Sequence, residues 1–428
     1  MERFRILDHG CKVNRYDGEL VRAELRRFGL TESPASTEPD RADPADLVVL
    51  NACAVTDHAV KKGRKALRRL RRENPGARMI VTGCMTSPDR VDYERIEPGV
   101  LTVPSGERDG IRAALVDFLG DAVSVRPEGE LRLDPHAFES RHRAFLKVED
   151  GCDAKCAFCV IPSIRGSVRS RSRADVLDEA RRLIDRELRE VVLCGVHLGH
   201  YGRDTGDSVI GLAKALADLQ GSFRVRLSSL EISEVDAQLA RTLADTERLT
   251  PHLHVPLQSG DDDVLRRMRR PYSSGRYLER IATVRDAVPD LSLTTDLIVG
   301  FPGETDAAFE RTLQVARSAG FSRIHAFPFS PRAGTEAAQL PDRVPTPILR
   351  ERVARLLDED AKLRLADDTR RIGSAATVLI ESASDQESQG LSERYRRIRL
   401  PGHHSPSTFV RCRLVGRVDD DLRGEACA

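Results

Sequence analysis

The sequence contains no tryptophan, few other aromatic residues and almost no net charge. Its 428 residues include six Tyr and thirteen Phe, and the formal net charge is +1. Aromatic stacking is therefore limited in any contact with a nucleic acid. The longest apolar stretches, such as Leu47 to Val55, are far shorter than the roughly 20 residues that a membrane-spanning helix needs. The first ten residues are charged rather than apolar, so we expect no export signal, no membrane association and a cytoplasmic location.

The length and the pattern of apolar runs predict an α/β protein of three domains. At roughly 150 residues per domain, the chain has room for about three. Short β-rich runs alternate with amphipathic helices over 1–125, which predicts an N-terminal doubly wound parallel sheet. A second series of six strand and helix units over 138–370 is too short for a closed eight-unit barrel and predicts a partial (β/α)6 barrel. Short strands predict a small all-β domain over 371–428, and 126–143 has the composition of a linker.

Basic residues are clustered, although the net charge is small. Arginine outnumbers lysine 60 to 8, and eight of the twelve residues from Lys61 to Arg72 are basic. Apolar residues recur there at helical spacing, which predicts a helix with one packed stripe and a positive outer face. Three smaller clusters follow: Arg165, Arg169 and Arg171; Arg266, Arg267, Arg269 and Arg270; and Arg394, Arg396, Arg397 and Arg399. Any single cluster fits a solvated face paired with acidic residues, but four together favour a polyanionic partner.

Three of the nine cysteines lie close together at the start of the second series. In a reducing compartment cysteines indicate metal ligands or catalytic thiols rather than disulfides. Cys152, Cys156 and Cys159 can hold three irons of a 4Fe-4S cube and leave the fourth iron without a protein ligand. A structural zinc site needs a fourth ligand, and the nearest other Cys or His in the sequence is His142, beyond the predicted strand. A zinc site and unrelated buried thiols remain the alternatives.

Cys11, Cys53 and Cys84 share a topological position. Each follows the carboxyl end of a predicted N-terminal strand by two to four residues, and in a parallel sheet those ends meet at one edge. The coincidence predicts a second iron-sulfur site, whereas a lone Cys is more often a small buried hydrophobe. Three polar residues are placed to hydrogen-bond such a cluster: Asn14, Asn51 and Thr82. Three cysteines share no such pattern and receive no role: Cys194, Cys412 and Cys427.

Taken together, these motifs resemble the radical S-adenosylmethionine (SAM) methylthiotransferases over nearly the whole chain. The remaining motifs that carry the resemblance are Gly10-Cys-Lys-Val-Asn14, Ile161-Pro-Ser-Ile-Arg-Gly166 and Val299-Gly-Phe-Pro-Gly-Glu304. The resemblance implies two 4Fe-4S clusters, one on each cysteine trio, and a C-terminal TRAM domain that contacts RNA. Members of the family use one SAM as a methyl donor and a second as a radical source, and they insert a methylthio group at an unactivated C–H bond.

One segment bears on the substrate. Lys12-Val13-Asn14 after Cys11 is similar to the branch that acts at C2 of N6-threonylcarbamoyladenosine at tRNA position 37. The resemblance implies the tRNA anticodon stem-loop as partner, an electron donor such as flavodoxin or ferredoxin, and a sulfur source. Two alternatives remain open. One is a methylthiotransferase for isopentenyladenosine, a ribosomal protein or a peptide, and the other is a non-catalytic metal-containing RNA-binding protein.

Binding of SAM needs polar groups at the carboxyl ends of the barrel strands. Seven residues are placed for this role: Gly195, His197, Ser229, Glu231, Gln258, Asp296 and Gly300. The two glycines would let the backbone approach the ligand, and Glu231 could accept from ribose hydroxyls. For His197 and Gln258, packing of the barrel mouth is the alternative.

The C-terminal domain is predicted to contact RNA through one strand face. Strands are expected at 377–381, 395–400 and 409–415. Tyr395 with the alternating Arg397 and Arg399 would then share one face of the second strand. A small β-barrel that contacts RNA is consistent with this pattern.

Overall fold

The N-terminal domain is a five-stranded parallel sheet. The computed structural model describes residues 1–33, 45–86, 93–104, 108–123, 132–134, 137–138 and 142–427. The strands are β1 (Arg3–Asp8), β2 (Thr31–Glu32), β3 (Leu47–Asn51), β4 (Arg78–Gly83) and β5 (Leu101–Pro104), and the helices are α1 (Lys12–Arg27), α2 (Asp57–Glu73), α3 (Tyr93–Ile96) and α4 (Arg108–Leu119). The strand order is β2-β1-β3-β4-β5, and every adjacent pair is parallel.

Helices cover both faces of this sheet. Leu47 and Val49 of β3 pack in one core with α1 and α4, whereas Val48 and Leu50 pack in a second core with α2. Alternate side chains of a strand point to opposite faces, so the central strand is buried on both sides. The predicted doubly wound parallel sheet is therefore confirmed.

The central region is a six-stranded partial barrel. The barrel strands are β6 (Arg143–Lys147), β9 (Glu190–Cys194), β10 (Arg224–Leu227), β11 (His252–His254), β12 (Ser292–Val299) and β13 (Arg323–Pro328), and the same region contains β7 (Glu149–Asp150) and β8 (Arg169–Ser170). Its helices are α5 (Ile161–Arg165), α6 (Arg173–Ile184), α7 (Val209–Ala217), α8 (Ala237–Asp245), α9 (Asp262–Arg267), α10 (Ser274–Ala287) and α11 (Asp306–Ala319). Parallel bridges at Ser229–His254 and Val225–Leu249 join β6-β9-β10 to β11-β12-β13. The predicted partial barrel is confirmed, and β7 and β8 form a separate small pair.

The N-terminal domain contacts both edges of the open barrel. Helix α1 packs against the edge strand β6. On the opposite edge, the residues that follow β13 contact the start of α2: Arg332 Nη1 donates to Asp57 at 2.9 Å, and the Asp57 amide donates to Ser330 at 3.0 Å. The N-terminal domain therefore spans the gap between β6 and β13.

The C-terminal region is a closed five-stranded barrel that follows the long helix α12 (Thr346–Arg371). Its strands are β14 (Ala375–Ala383), β15 (Glu387–Ser392), β16 (Arg397–Pro401), β17 (Phe409–Val418) and β18 (Asp421–Ala426), in the order β14-β15-β16-β18-β17. Pairing of β14 with β17 closes the barrel. The predicted all-β domain is confirmed, but β15 and β18 were not predicted, because their mostly polar sequences, ESQGLS and DLRGEA, lack a run of β-forming residues.

The placement predicted for Tyr395 is wrong. The strand begins at Arg397, and Tyr395 lies in the preceding turn with a φ of 64°. This turn directs the ring toward the amino end of the central barrel, where it stacks on His252 with ring centroids 4.8 Å apart. The Arg226 guanidinium lies 4.8 Å from the centre of the same ring. Tyr395 therefore joins two domains and does not share a strand face with Arg399.

A buried ion cluster completes this junction. Glu190 accepts from Arg224 Nε at 2.5 Å and from Arg226 Nε at 2.9 Å. The two arginines also donate to the backbone carbonyls of Leu391 at 2.8 Å and Glu393 at 2.9 Å. Burial alone would raise the pKa of Glu190, but Arg226 and Arg224 hold it well below its usual range. The barrel floor and the C-terminal domain are thus held by the same carboxylate.

Most of the predicted linker 126–143 and the predicted domain boundary at residue 125 lie outside the described residues. In the part of the chain that the structure describes, no helix has the length and apolar character needed to cross a membrane.

Glu190→Ala is expected to lower the free energy of unfolding by about 3–5 kcal/mol, because it leaves two buried guanidinium groups without their carboxylate. Urea unfolding followed by circular dichroism measures this change. Asp178→Ala removes an exposed partner of Arg182 and serves as the control, with an expected change of about 1 kcal/mol or less. Equal effects of the two substitutions would contradict the role assigned to Glu190.

Candidate active site

The structure brings Cys11, Cys53 and Cys84 together at the carboxyl edge of the N-terminal sheet. Cys11 precedes α1, Cys53 follows β3, and Cys84 follows β4. Burial raises the pKa of Cys53 and Cys84, and the proximity of Cys11 raises both further. Thiols that influence one another in this way lie in one neighbourhood. The three loops therefore form a single thiol site, as the strand topology predicts.

Two asparagines hold these loops in place. Asn14 Nδ2 donates to the carbonyl of Ala52 at 3.1 Å, and its Oδ1 lies 3.3 Å from the Sγ of Cys84. Asn51 Nδ2 donates to the Asn14 carbonyl at 2.6 Å. Thr82 contributes through its backbone, because its carbonyl accepts from the Ala52 amide at 2.9 Å. These bonds fix the cysteine loops relative to one another.

Cys152, Cys156 and Cys159 form the second trio, directly after β7. Burial raises the pKa of Cys152 to about 12 and that of Cys159 to about 11, and Cys156 adds to both. His197, from the loop after β9, places its Nδ1 3.7 Å from the Sγ of Cys152. The barrel thus brings a histidine that is 45 residues away in sequence into contact with this trio.

The spacing of the thiols disfavours a single zinc ion. Two groups of described residues have ligand atoms that all lie within 4.8 Å of one another, and neither contains cysteine: His197 with His200 and Glu234, and His254 with Asp296 and His325. Donors about 2.0–2.3 Å from one ion must lie within roughly 4 Å of each other. Each cysteine trio is more widely spaced than this. The donor chemistry, three thiols in each trio, fits an iron-sulfur cluster.

Each trio is contacted by a buried arginine. Arg165 Nε donates to Cys84 Sγ at 3.2 Å, and Arg270 Nη1 donates to Cys156 Sγ at 3.3 Å. Arg270 also pairs with Glu231. The two arginines are 3% and 7% exposed, so their assignment to RNA-facing basic clusters is wrong. Each cation instead stabilises negative charge on a cysteine sulfur.

Arg165 also joins the N-terminal domain to the barrel. Its Nη2 donates to Asn14 at 2.7 Å and to Asp17 at 2.9 Å, and its Nη1 donates to Asp150 at 3.0 Å. Lys147 donates to the same two carboxylates. Burial would lower the pKa of Arg165, but Cys84, Asp17 and Asp150 raise it well above its usual value. One guanidinium thus touches the first cysteine trio and both domains.

Most of the other clustered arginines are paired as well. The pairs are Arg171 with Asp175 and Glu179, Arg266 with Asp263, Arg269 with Glu336, Arg394 with Asp290, Arg396 with Asp368, and Arg399 with Asp421. The pairing of these arginines fits the alternative interpretation of each cluster, a face on which basic and acidic side chains are paired. The helix α2 does carry the predicted stripe, with Val60, Gly63, Leu67 and Leu70 buried, and its outer face is exposed and basic: Lys61, Lys62, Lys65, Arg68, Arg69 and Arg72.

Five of the seven residues predicted to bind SAM line two adjoining cavities. One of about 140 Å³ lies over the second trio and is lined by Cys152, Cys156, Cys159, His197, Ser229, Glu231, Gln258 and Arg270, among others. The other, of about 170 Å³, lies between the domains and is lined by Val55, Thr56, Phe158, Cys159, Gln258, Asp296 and Phe327, among others. Gln258 and Cys159 belong to both. The interdomain cavity therefore extends from the second trio to a loop that begins two residues after Cys53.

The two glycines predicted to bind SAM, Gly195 and Gly300, differ in their surroundings. A side chain at Gly195 would lie 2.5 Å from the Glu149 carboxylate, so this position permits a close approach of the backbone within the site. Gly300 has a φ of 76°, and a side chain there would clash with Leu349 of α12 at 2.4 Å. Gly300 therefore serves the packing of α12 and does not line either cavity.

Sequence reasoning missed Glu149. This carboxylate is buried, accepts from the His197 amide at 2.8 Å, and leaves Oε1 without a partner among the described residues. Burial raises its pKa to about 8. A buried acid with a raised pKa beside a cavity is typical of functional sites. In the sequence, the feature that could have pointed to Glu149 is its position three residues before Cys152.

Arg165→Met is expected to lower the free energy of unfolding by about 3–5 kcal/mol, because Asp17 and Asp150 lose a buried cation that Lys147 alone does not replace. Urea unfolding of the reduced apoprotein measures the loss. The matched control is Arg169→Met, four residues along the chain at an exposed position, with an expected change of about 1 kcal/mol or less. An Arg165 variant as stable as this control would show that the cluster does not join the domains.

Two family models match the chain. Residues 3–103 match the model described as "Uncharacterized protein family UPF0004", and residues 146–316 match the model of the "Radical SAM superfamily". The first range contains Cys11, Cys53 and Cys84, and the second contains the other trio. The radical SAM methyltransferase TsrM from Kitasatospora setae has a TM-score of 0.56 at 14% identity and covers 79% of this chain and 77% of its own. This likeness shows a shared fold.

Similar curated proteins cover nearly the whole chain. It is 33% identical to the threonylcarbamoyladenosine tRNA methylthiotransferase MtaB of Chlamydia pneumoniae, over 99% of this chain and 97% of that protein. Identity to MtaB of Bacillus subtilis is 36%, over 81% of this chain and 78% of the relative. The tRNA-2-methylthio-N(6)-dimethylallyladenosine synthase of Salinispora arenicola is also 36% identical, over 93% of this chain and 81% of the relative. With both cysteine trios in place, these relatives show that the chain is a transferase enzyme and belongs to the radical SAM methylthiotransferase family.

Proposed function

We propose that this enzyme adds a methylthio group to C2 of N6-threonylcarbamoyladenosine at position 37 of tRNA. The observation that carries the proposal is the cavity between the domains, which has Cys159 on one wall and residues next to Cys53 on the other. A substrate base in this cavity would lie between the two thiol sites. The relatives named as threonylcarbamoyladenosine tRNA methylthiotransferases support this substrate.

Each cysteine trio has a separate role in the proposal. Cys152, Cys156 and Cys159 would hold the 4Fe-4S cluster that binds SAM, and Cys11, Cys53 and Cys84 would hold the cluster that carries sulfur. When bound, the two clusters supply an electron for reductive cleavage of SAM and the sulfur atom for transfer. The N-terminal domain, the barrel and the C-terminal barrel, at 1–125, 138–370 and 371–428, would serve sulfur delivery, SAM cleavage and RNA contact respectively.

The side chains around the second trio position SAM. Glu231 is held by Arg270, so its carboxylate is fixed at the cavity and could accept from ribose hydroxyls. Ser229 and Gln258 line the same cavity, and Asp296 lines the adjoining one. The backbone N–H of His197 donates a hydrogen bond to the Glu149 carboxylate at 2.8 Å, and Glu234 lies 3.4 Å from the His197 Nε2. These contacts hold the polar groups in place before SAM binds.

A second candidate is methylthiolation of isopentenyladenosine in tRNA. It is favoured by relatives named tRNA-2-methylthio-N(6)-dimethylallyladenosine synthase, which match this chain at 32–36% identity. Both candidates require the anticodon stem-loop of tRNA, an electron donor such as flavodoxin or ferredoxin, and a sulfur source. These partners would place the reaction in the cytoplasm.

Substituting each cysteine trio by itself is expected to separate reductive cleavage of SAM from formation of the methylthio nucleoside. Changing Cys152, Cys156 and Cys159 to Ala should abolish reductive cleavage of SAM, because the cluster ligands are lost. Changing Cys11, Cys53 and Cys84 to Ala should keep SAM cleavage but abolish the methylthio nucleoside, as measured by mass spectrometry of tRNA from a complemented deletion strain. Cys427→Ala, at an exposed position, is the control and should retain both. Methylthio nucleoside formed by either triple variant would refute the assignment.

The basic face of α2 is expected to contact the tRNA backbone. This helix begins at Asp57, next to the cavity residue Thr56. Changing Lys61, Lys65 and Arg68 to Gln should weaken tRNA binding and reduce the slope of log affinity against log salt by about 2–3, one unit or slightly less per phosphate contact. Anisotropy titrations at several salt concentrations measure the slope. The control neutralises two exposed residues elsewhere, Lys214 and Arg241, and an equal change in that control would exclude a specific contact at α2.

A further inference from the structure

Lys12 lies near the lumen of the central barrel. Lys12 is the first residue of α1, which packs against the edge strand β6. Its charge acts on side chains of four separate elements around the lumen: Cys194 of β9, His252 of β11, His325 of β13, and Tyr395 before β16. Burial lowers the pKa of His252 and His325, and the Lys12 charge lowers both further. The half-buried Lys12 is therefore close enough to the lumen for its charge to reach the lumen wall.

The lumen wall around Lys12 is polar and open to the interdomain cavity. His254 contacts Thr294 Oγ1 at 2.9 Å through Nδ1 and Asp296 at 3.3 Å through Nε2. The His325 ring lies 5.7 Å from the His254 ring. Asp296 also lines the cavity between the two cysteine trios, so the lumen opens directly into it. Phe327, on the same strand face as His325, also lines this cavity and is 39% exposed.

Lys12 lacks a counter-charge within the described ranges. Its ammonium takes part in no hydrogen bond or ion pair there, and the carboxylate in the adjacent wall, Asp296, is engaged by His254. The first turn of a helix is also an unfavourable place for a cation, because the helix dipole is positive at that end. The fold therefore does not explain a half-buried lysine at this position. An anionic ligand would supply the missing partner.

We propose that Lys12, together with His254 and His325, binds a carboxylate on the N6 substituent of the substrate base. This inference rests on the proposed function, because a threonylcarbamoyl group ends in a carboxylate whereas an isopentenyl group is an uncharged hydrocarbon. Lys12 donates charge-assisted hydrogen bonds to the carboxylate, and the imidazoles form the opposite wall. Lys12 is therefore a specificity-determining residue, which selects an anionic substituent over a neutral one.

Binding of chemically matched RNAs tests this role. Anticodon stem-loops carry at position 37 threonylcarbamoyladenosine, its methyl ester or isopentenyladenosine, and anisotropy measures their affinity for the anaerobically reconstituted enzyme. The wild-type enzyme should bind the free carboxylate about 10–100-fold more tightly than the ester, the range expected for hydrogen bonds to charged groups. Lys12→Gln should bind both alike, and Lys12→Arg should retain most of the preference. Lys214→Gln is the control and should match the wild type.

Two further measurements separate the possible failures. The first is the iron content of every variant, because Lys12 adjoins Cys11. The second is the RNA binding of His325→Gln, a variant on the opposite wall, which should lose less of the preference for the free carboxylate than Lys12→Gln. A Lys12→Gln enzyme that keeps the wild-type preference for the carboxylate overturns this inference and leaves the proposed function intact. A wild-type enzyme that methylthiolates only the isopentenyl stem-loop overturns the proposed function, and the carboxylate site with it.

Discussion

The bond between the Arg165 guanidinium and the buried thiol of Cys84 couples the two halves of the active site. Arg165 ends a five-residue helix that starts two residues after Cys159, so the segment that carries one cysteine trio also supplies the counter-charge of the other. Asp17 and Asp150 hold this cation from opposite domains. Because Arg165 contacts the first trio and belongs to the segment that carries the second, a shift of either domain would disturb this contact. This contact is one of those that hold the two domains on either side of the cavity.

The sequence predicts the architecture well where local patterns determine it. The parallel sheet, the six barrel strands and the convergence of Cys11, Cys53 and Cys84 follow from apolar runs and from the geometry of parallel strands. Side chains whose role depends on distant partners could not be assigned in this way. Arg165 and Arg270 are surface cations by composition and become buried partners of cysteines only after the barrel forms. The turn at Tyr395 and the polar strand Asp421–Ala426 likewise depend on tertiary contacts.

Charge placement gives a physical basis for substrate selection. The barrel floor is closed by Glu190, which pairs with both Arg224 and Arg226. Within the described ranges, Lys12 near the lumen has no such partner. The paired cluster holds the C-terminal barrel in place. The proposed role of Lys12 is different, because an unpaired ammonium group is free to pair with an anionic group of the substrate.

The most direct test of the account is electron paramagnetic resonance of the anaerobically reconstituted, reduced enzyme, combined with iron and sulfide analysis. Two trios on one cavity predict about eight iron atoms per chain, four for each cluster. They also predict a spectrum in which the two reduced clusters broaden each other's signals. About four irons per chain, or two signals that do not interact, would contradict the claim that both cysteine trios act on one substrate.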